Sequence, residues 1–168
     1  MFGYNRGVLI GILSDTHGHV EATGVAIELL RGRGATYFLH CGDVGSPAVL
    51  DQMAGLSAAF VWGNCDSDRT GLQRYAERLG IGCHGAYGDL TIDGKRVALM
   101  HGDDGRLSKM IVAEQKHDYL CHGHTHTRGE GWAGRVHVIN PGAVHRAKER
   151  TVALLDTVSD RVEFLVAG

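Results

Sequence analysis

Short apolar runs alternate along the chain with longer segments in which apolar residues recur at helical spacing. The apolar runs predict strands at residues 8–13, 37–40, 58–62, 89–92, 96–100, 119–121, 136–139, 152–156 and 162–166. The helical spacing predicts helices at residues 20–31, 47–53, 70–79 and 107–115. A turn at Asp93-Gly94 marks the point where β-α alternation gives way to antiparallel strands. This order implies either one mixed sheet or two sheets stacked between helices, and the second fits the late strands better.

Length and charge narrow the class of protein. A chain of 168 residues can bury a central sheet, so we expect a single domain over residues 1–168. The formal charge of −2 gives no basic excess, so a broad electrostatic contact with nucleic acid is not indicated. A small phosphate-bearing substrate remains compatible. No apolar run reaches the roughly 18 residues of a membrane span, so we expect no membrane partner.

Cysteine and histidine usage adds a chemical indication. The four cysteines form no C-x-x-C pair, which favours reduced thiols and a cytoplasmic location. Eleven histidines stand beside only seventeen Lys plus Arg, and histidine is the commonest neutral metal ligand. The composition therefore favours a metal-binding protein.

Polar residues with ligand chemistry follow five of the predicted strands. The loops that leave the carboxyl ends of strands in an α/β sheet converge on one crevice, so these residues can meet there. They are Asp15, His17, Asp43, Asn64, His101, His124 and His126. The sequence thus predicts a metal site with several histidine ligands.

Each of these segments alone has an ordinary structural explanation. Asp15 or its neighbours could cap the next helix, and Gly42-Asp43 and Gly63-Asn64 are typical of plain turns. A lone histidine such as His101 is often a satisfied polar group. His124 and His126 are different, because two histidines at a spacing of two place both imidazoles on one side of extended backbone. Occurrence of all five segments in one chain favours the metal interpretation.

The ordered series Asp-x-His, Gly-Asp, Gly-Asn-x-Asp, His-Gly-Asp and Gly-His-x-His resembles the calcineurin-like metallophosphoesterase superfamily. It is most similar to the small, single-domain YfcE-like phosphodiesterases, over residues 13–142. The resemblance implies a four-layer α-β-β-α sandwich of two mixed sheets flanked by helices. It also implies two divalent metal ions, with Mn²⁺ preferred and Ni²⁺, Co²⁺, Fe²⁺ or Zn²⁺ compatible. One ion would be held by Asp15, His17 and His126, and the other by Asn64, His101 and His124, with Asp43 as a bridge.

The resemblance implies hydrolysis of a small phosphate ester, most simply a phosphodiester. A metal-bridging hydroxide would attack phosphorus, with Asp43 and Asn64 as the catalytic protein groups. Many members of the superfamily carry a histidine after the asparagine as proton donor, and this chain has Cys65. A thiol is a poor proton donor, so phosphodiesters or activated esters are favoured over alkyl monoesters.

Other interpretations stay open at this stage. A phosphomonoesterase would use the same site, and a protein-binding scaffold of the same fold would bind little metal. An amidohydrolase-type enzyme would carry its histidine pair on the first strand, whereas here the pair comes late. Arg146, Arg106 and Lys109 lie within reach of a substrate phosphate or are solvated surface charges. A homo-oligomer is compatible with so small a chain.

Overall fold

The computed structural model describes residues 7–168, which form eleven strands and four helices. The strands are β1 (Leu9–Leu13), β2 (Tyr37–His40), β3 (Ala58–Phe60), β4 (Gly82–Cys83), β5 (Tyr87–Ile92), β6 (Lys95–Met100), β7 (Tyr119–Cys121), β8 (Gly129–Ala133), β9 (Val136–Asn140), β10 (Thr151–Asp156) and β11 (Val162–Val166). The helices are α1 (Val20–Gly32), α2 (Pro47–Asp51), α3 (Arg69–Leu79) and α4 (Gly105–Glu114). Every predicted element forms, and β4 and β8 are additional strands that the apolar pattern did not predict.

The strands form two mixed sheets. The first has the order β11-β10-β1-β2-β3-β4, in which β1 to β4 are parallel and β10 and β11 are antiparallel. The second has the order β5-β6-β7-β9-β8, with β6, β7 and β9 parallel and an antiparallel strand at each edge. The prediction of two sheets rather than one is confirmed.

Three apolar clusters divide the fold into four layers. Ile12 and Leu39 of the first sheet pack between the sheets against Leu99 and Tyr119 of the second. The outer face of the first sheet packs against α1, α2 and α3, and the outer face of the second packs against α4 through Ile111. The α-β-β-α sandwich is therefore confirmed. Each sheet buries apolar residues on both faces, which explains why the central strands read as continuous apolar runs.

The start of α1 shows which residue caps this helix, a question that the sequence left open. The imidazole of His19 accepts a hydrogen bond from the amide of Ala22 at 3.2 Å, so His19 is the capping residue of this helix. Asp15 and Thr16 therefore do not cap α1, and both are buried. The Asp15 carboxylate is available to the crevice, whereas the Thr16 hydroxyl donates to the Val44 carbonyl at 3.0 Å.

None of the helices formed by residues 7–168 is both long and apolar enough to cross a membrane. All four cysteines are free thiols. Cys41 and Cys121 are buried at strand ends and contribute to the core between the sheets.

Leu39→Ala should lower the free energy of unfolding by about 2–5 kcal/mol, because Leu39 is fully buried between the sheets and its loss leaves a cavity. Urea denaturation followed by circular dichroism measures the change. Val166→Ala is the matched control, since this edge-strand side chain is exposed and should cost less than about 0.5 kcal/mol. Equal losses for the two variants would contradict the layered core.

Candidate metal centre

The seven predicted site residues lie at the ends of β1, β2, β6 and β7 and in the loop after β3, along one edge of the sandwich. Five of them have left-handed backbone conformations: Asp15 (φ 55°), His17 (45°), Asp43 (55°), His124 (69°) and His126 (59°). This region is uncommon for residues other than glycine and costs of order 1–3 kcal/mol each. Such a concentration of strained residues is typical of functional sites.

Backbone hydrogen bonds hold the loops after β1 and β2 together. The amide of Asp15 donates to the Gly42 carbonyl at 3.1 Å, and the amide of His17 donates to the Asp43 carbonyl at 2.9 Å. The Cys65 amide then donates to Oδ1 of Asp43 at 2.8 Å, which joins the loop after β3 to the other two. The positions of the site carboxylates are thus set by backbone atoms of neighbouring loops.

The carboxylate of Asp66 also holds these loops in place. Its buried carboxylate accepts hydrogen bonds from the amides of Gly63 and Gly45, both at 2.8 Å, and of Val44 at 3.2 Å. A carboxylate that accepts three backbone hydrogen bonds fixes the loops on either side of Asp43. Asp66 is the last residue of the Gly-Asn-x-Asp motif, and sequence reasoning assigned it no role.

Two glycines allow the loops to approach the carboxylates closely. A Cβ atom at Gly63 would lie 2.0 Å from Oδ1 of Asp43, and one at Gly123 would lie 2.6 Å from Oδ2 of Asp15. Any side chain at these positions would displace the carboxylates.

Asp15, His17 and His126 form the first cluster of candidate ligands. Oδ1 of Asp15 lies 3.2 Å from Nε2 of His126 and 3.9 Å from Nε2 of His17. The two histidine nitrogens are 3.4 Å apart. Three potential ligand atoms from β1 and from the loop after β7 therefore face one point.

Asp43 and His101 form the centre of a second cluster. Oδ2 of Asp43 lies 3.4 Å from Nε2 of His101 and 3.7 Å from Nε2 of His17. Oδ1 of Asn64 lies 3.1 Å from Nε2 of His101. Asp43 therefore faces histidines of both clusters, which is the placement expected of a shared ligand.

His124 and Cys65 are placed less simply. His124 is exposed, its ring centroid lies 5.1 Å from that of His101, and it contributes no atom to the ligand clusters found among residues 7–168. Cys65 was not predicted as a ligand, yet its side chain belongs to a cluster with His17 and Asp43. The structure thus brings six predicted residues into direct contact, with His124 at the rim.

The hydrogen bonds of two histidines fit a metal role. Nδ1 of His101 lies 2.8 Å from the carbonyl of Cys41, and Nδ1 of His126 lies 3.2 Å from the carbonyl of Arg146. A carbonyl only accepts, so each Nδ1 carries a proton and each Nε2 faces the carboxylates. Metal-binding histidines are commonly held in this way.

Asp15 supplies the clearest test of whether a cation fits. Its side chain is fully buried, and its Oδ1 accepts no hydrogen bond from any of residues 7–168. A buried carboxylate oxygen without a partner is costly, and a cation between it and the histidine nitrogens removes that cost. The donor set of carboxylate oxygens, imidazole nitrogens and an amide oxygen suits divalent transition metals.

The electrostatics of the second cluster also favour positive charge. Burial raises the pKa of Asp43, but hydrogen bonds from His101 and from the Cys65 amide outweigh this, so the pKa lies below its usual value. Burial lowers the pKa of His101, but contacts with Asp43 and the Cys41 carbonyl raise it above its ordinary value. Burial lowers the pKa of His17 against opposing effects of Asp43 and Asp15, and this favours the neutral ring, which is the form that binds a metal.

A buried histidine outside the predicted ligand set supports the site. Nε2 of His40 lies 2.9 Å from the hydroxyl of Thr16, which donates to the Val44 carbonyl at 3.0 Å, and Nδ1 accepts from the Gly42 amide at 3.2 Å. His40 thereby joins the loops after β1 and β2. Sequence reasoning left His40 without a role, because nothing in its local pattern separates a positioning histidine from a core residue.

Comparisons with known proteins show the family. A family model described as the calcineurin-like phosphoesterase superfamily domain matches residues 8–160. A phosphodiesterase of Methanocaldococcus jannaschii is 29% identical over 153 residues, which is 88% of this chain and 92% of that protein.

Solved structures give the same result for the fold. One, described as a novel archaeal phosphodiesterase, has 28% identity and a TM-score of 0.87, and the match covers 95% of this chain and 99% of that one. Yfce, a phosphoesterase from E. coli, has 20% identity and a TM-score of 0.66 over 96% of this chain and all of that one (100%), and at this identity it supports the fold alone.

The buried imidazole of His40 should make stability depend on pH. Burial lowers its pKa from 6.5 to about 4, against an opposing effect of Asp66. As pH falls from 6.5 towards 4, the unfolded chain takes up a proton that folded His40 does not, so the free energy of unfolding falls. His40→Asn should reduce this slope by up to about 1.4 kcal/mol per pH unit. Urea unfolding of both proteins between these pH values measures it, and parallel curves would contradict a neutral buried His40.

Proposed function

The chain belongs to the calcineurin-like phosphoesterase superfamily, and from this we propose that it is a dinuclear metal-dependent phosphodiesterase. The single observation that carries the proposal is the buried, unpartnered Oδ1 of Asp15 facing imidazole nitrogens of His17 and His126, with Asp43 between both clusters. Asp15, His17 and His126 would hold one ion. Asn64 and His101 would hold the other, with His124 completing its ligands from the rim, and Asp43 would be shared.

Two divalent ions, when bound, would lower the pKa of a shared water so that it can act as a nucleophile near neutral pH, and would neutralise phosphate charge. The remaining contributions come from the chain. The His101 and His126 rings are oriented by backbone carbonyls before any substrate arrives. Preorganised groups of this kind cost no rearrangement during the reaction.

Asn64 has a second role in this proposal. Its Oδ1 faces His101, so its amide nitrogen is directed elsewhere and is within 3.6 Å of the Cys65 sulfur, at the exposed mouth of the site. From there it can donate to a phosphate oxygen and stabilise the negative charge that develops during the reaction. This is the basis for naming Asn64 a catalytic residue.

The presence of Cys65 after Asn64 favours phosphodiesters over alkyl monoesters as substrates. Cys65 lies exposed at the mouth of the site, next to Asn64. A thiol is a poor proton donor near neutral pH, so leaving groups that need protonation react slowly. Esters with good leaving groups need no such help.

Several finer features belong to the same proposal. Mn²⁺ is the proposed metal on the basis of the sequence resemblance, and a cytoplasmic location is proposed from the reduced thiols. The interpretation of residues 1–168 as one domain and the formation of a homo-oligomer stay predictions.

Removal of metal by a chelator should abolish hydrolysis of bis(p-nitrophenyl) phosphate, and Mn²⁺ should restore it. His124→Ala should lower the restored kcat/KM by about 100-fold or more, because it removes a ligand from one ion. His84→Ala is the matched control, since His84 is exposed and lies in none of the ligand clusters. Release of p-nitrophenolate measures all of these rates.

The same assay separates the alternatives. Higher kcat/KM for p-nitrophenyl phosphate than for the diester would replace the diesterase proposal by a monoesterase. Absence of turnover with every divalent metal, together with absence of metal binding by calorimetry, would support the scaffold interpretation.

Arg146 should contribute to substrate binding. Its carbonyl lies 3.2 Å from Nδ1 of the candidate ligand His126, and the two residues line the same hollow. Arg146→Ala should raise KM for the diester by about tenfold through loss of a phosphate contact. Steady-state kinetics measure this. Arg106→Ala is the control, because Arg106 is an exposed residue of α4 outside the ligand clusters, and an equal effect there would contradict a specific role for Arg146.

A further inference from the structure

A groove crosses the outer face of the second sheet, between α4 and β8. It consists of two adjoining hollows of about 410 and 530 Å³ that share His122, Thr125 and Val138 as lining residues. Helix α4 covers Ala98 and Leu120 of this face. Its C-terminal cap Gln115 meets β8 at Ala133, whose carbonyl accepts a hydrogen bond from Gln115 Nε2 at 2.8 Å. The sheet surface over Gly129 and Gly131 is left open.

The floor of the groove is flat because β8 lacks side chains there. Gly131 pairs directly with Val138, and Gly129 pairs with Asn140, so both glycines lie on the same face as these residues. A Cβ atom at either glycine would have no neighbour within 4 Å among residues 7–168. Trp132 lies on the opposite face of β8, where its ring stacks on His137 with the centroids 4.3 Å apart.

The groove begins at the metal centre. Gly102, which lines the first hollow, directly follows the candidate ligand His101. His122 lines both hollows and lies two residues before His124, and Thr125 stands between His124 and His126. The Gly123 amide also donates to the His101 carbonyl at 2.8 Å, so the end of the groove adjoins the backbone that carries this candidate ligand.

The two flanks of the centre differ in charge. Next to His126, a hollow of about 560 Å³ is lined by Arg128, Arg146 and Lys148, with Glu149 as its one carboxylate, and it adjoins the groove at Thr125 and Thr127. The groove itself is lined mainly by apolar or small residues such as Val112, Leu120 and Gly131, and its two charged lining residues, Lys109 and Glu130, are of opposite sign. An anionic part of a substrate fits the first flank, and an uncharged part fits the groove.

We propose that this groove binds a planar aromatic ring carried by the ester group of the substrate, as a nucleobase is carried by the ribose of a nucleotide. A flat floor of glycines with an apolar wall on the helix side suits a ring that is thin and uncharged. The hydroxyl of Thr125 and the edge of His122 provide polar contacts at the end nearest the metals. This inference rests on the proposed phosphodiesterase function and names the class of substrate that the site selects.

The test compares three phosphates bound to the manganese-loaded protein by calorimetry: AMP, ribose 5-phosphate and inorganic phosphate. AMP should bind about tenfold or more tightly than ribose 5-phosphate, because only AMP carries a base for the groove. Gly131→Leu should reduce the ratio of these two affinities to about one, because the leucine side chain would occupy the floor of the groove. The affinity of the variant for ribose 5-phosphate and inorganic phosphate should equal that of the wild type.

Gly131→Leu is suited to the test because its backbone is not left-handed and the added side chain meets no neighbouring atom. Ala113→Trp narrows the groove from the exposed side of α4 and should have the same effect. Gly32→Leu adds the same exposed leucine at the end of α1, away from the groove, and should behave as the wild type.

The outcomes separate this inference from the proposed function. Equal affinity of the wild type for AMP and ribose 5-phosphate, or an unchanged ratio in both groove variants, would overturn the groove assignment while leaving a phosphate-binding metal centre. Failure of the wild type to bind any of the three phosphates would overturn the proposed function and this inference with it.

Discussion

The need to compensate two buried carboxylates governs this end of the molecule. Asp15 and Asp43 are almost fully buried, and they converge on histidine nitrogens that are held in place by backbone carbonyls. Negative charge removed from water is costly unless it is paired. A protein that needed only a stable core would place apolar residues here, so the arrangement is explained by the cation that it can bind.

This arrangement requires strained backbone conformations, and the packing of the sandwich stabilises them. Five site residues have left-handed conformations at the ends of strands. They persist because Asp66 and His40 tie their loops together through amide hydrogen bonds, and because the strands before them are buried on both faces. Conformations of this kind survive only where the surroundings determine them. The rigid core therefore allows the strained loops of the site to persist.

Periodicity predicted the layers because the central strands are buried and strongly apolar. It missed β8, whose sequence Gly-Glu-Gly-Trp-Ala has neither an apolar run nor clear alternation and whose register is fixed by pairing with β9. The motif residues could be grouped from the sequence because loops at strand ends converge. The roles of Asp66 and His40 could not, since each acts through contacts with residues distant in sequence. The contact of His19 with Ala22 at the start of α1 is local, but it was missed because serine, threonine, aspartate and asparagine are the expected caps.

Selectivity between substrates must come from the surfaces beside the metal centre rather than from the ligand residues themselves. The ligand residues recognise any phosphate, because charge and metal ligands do not distinguish one ester from another. The mouth is open, with Asn64, Cys65 and His124 all exposed, so it excludes little by size. What remains are the cationic hollow beside His126 and the flat groove between α4 and β8. These two surfaces differ in charge and meet at Thr125 and Thr127, next to His126. Under the proposed function, a phosphodiester with unlike substituents would therefore have one preferred orientation, which would decide which ester bond faces the nucleophile.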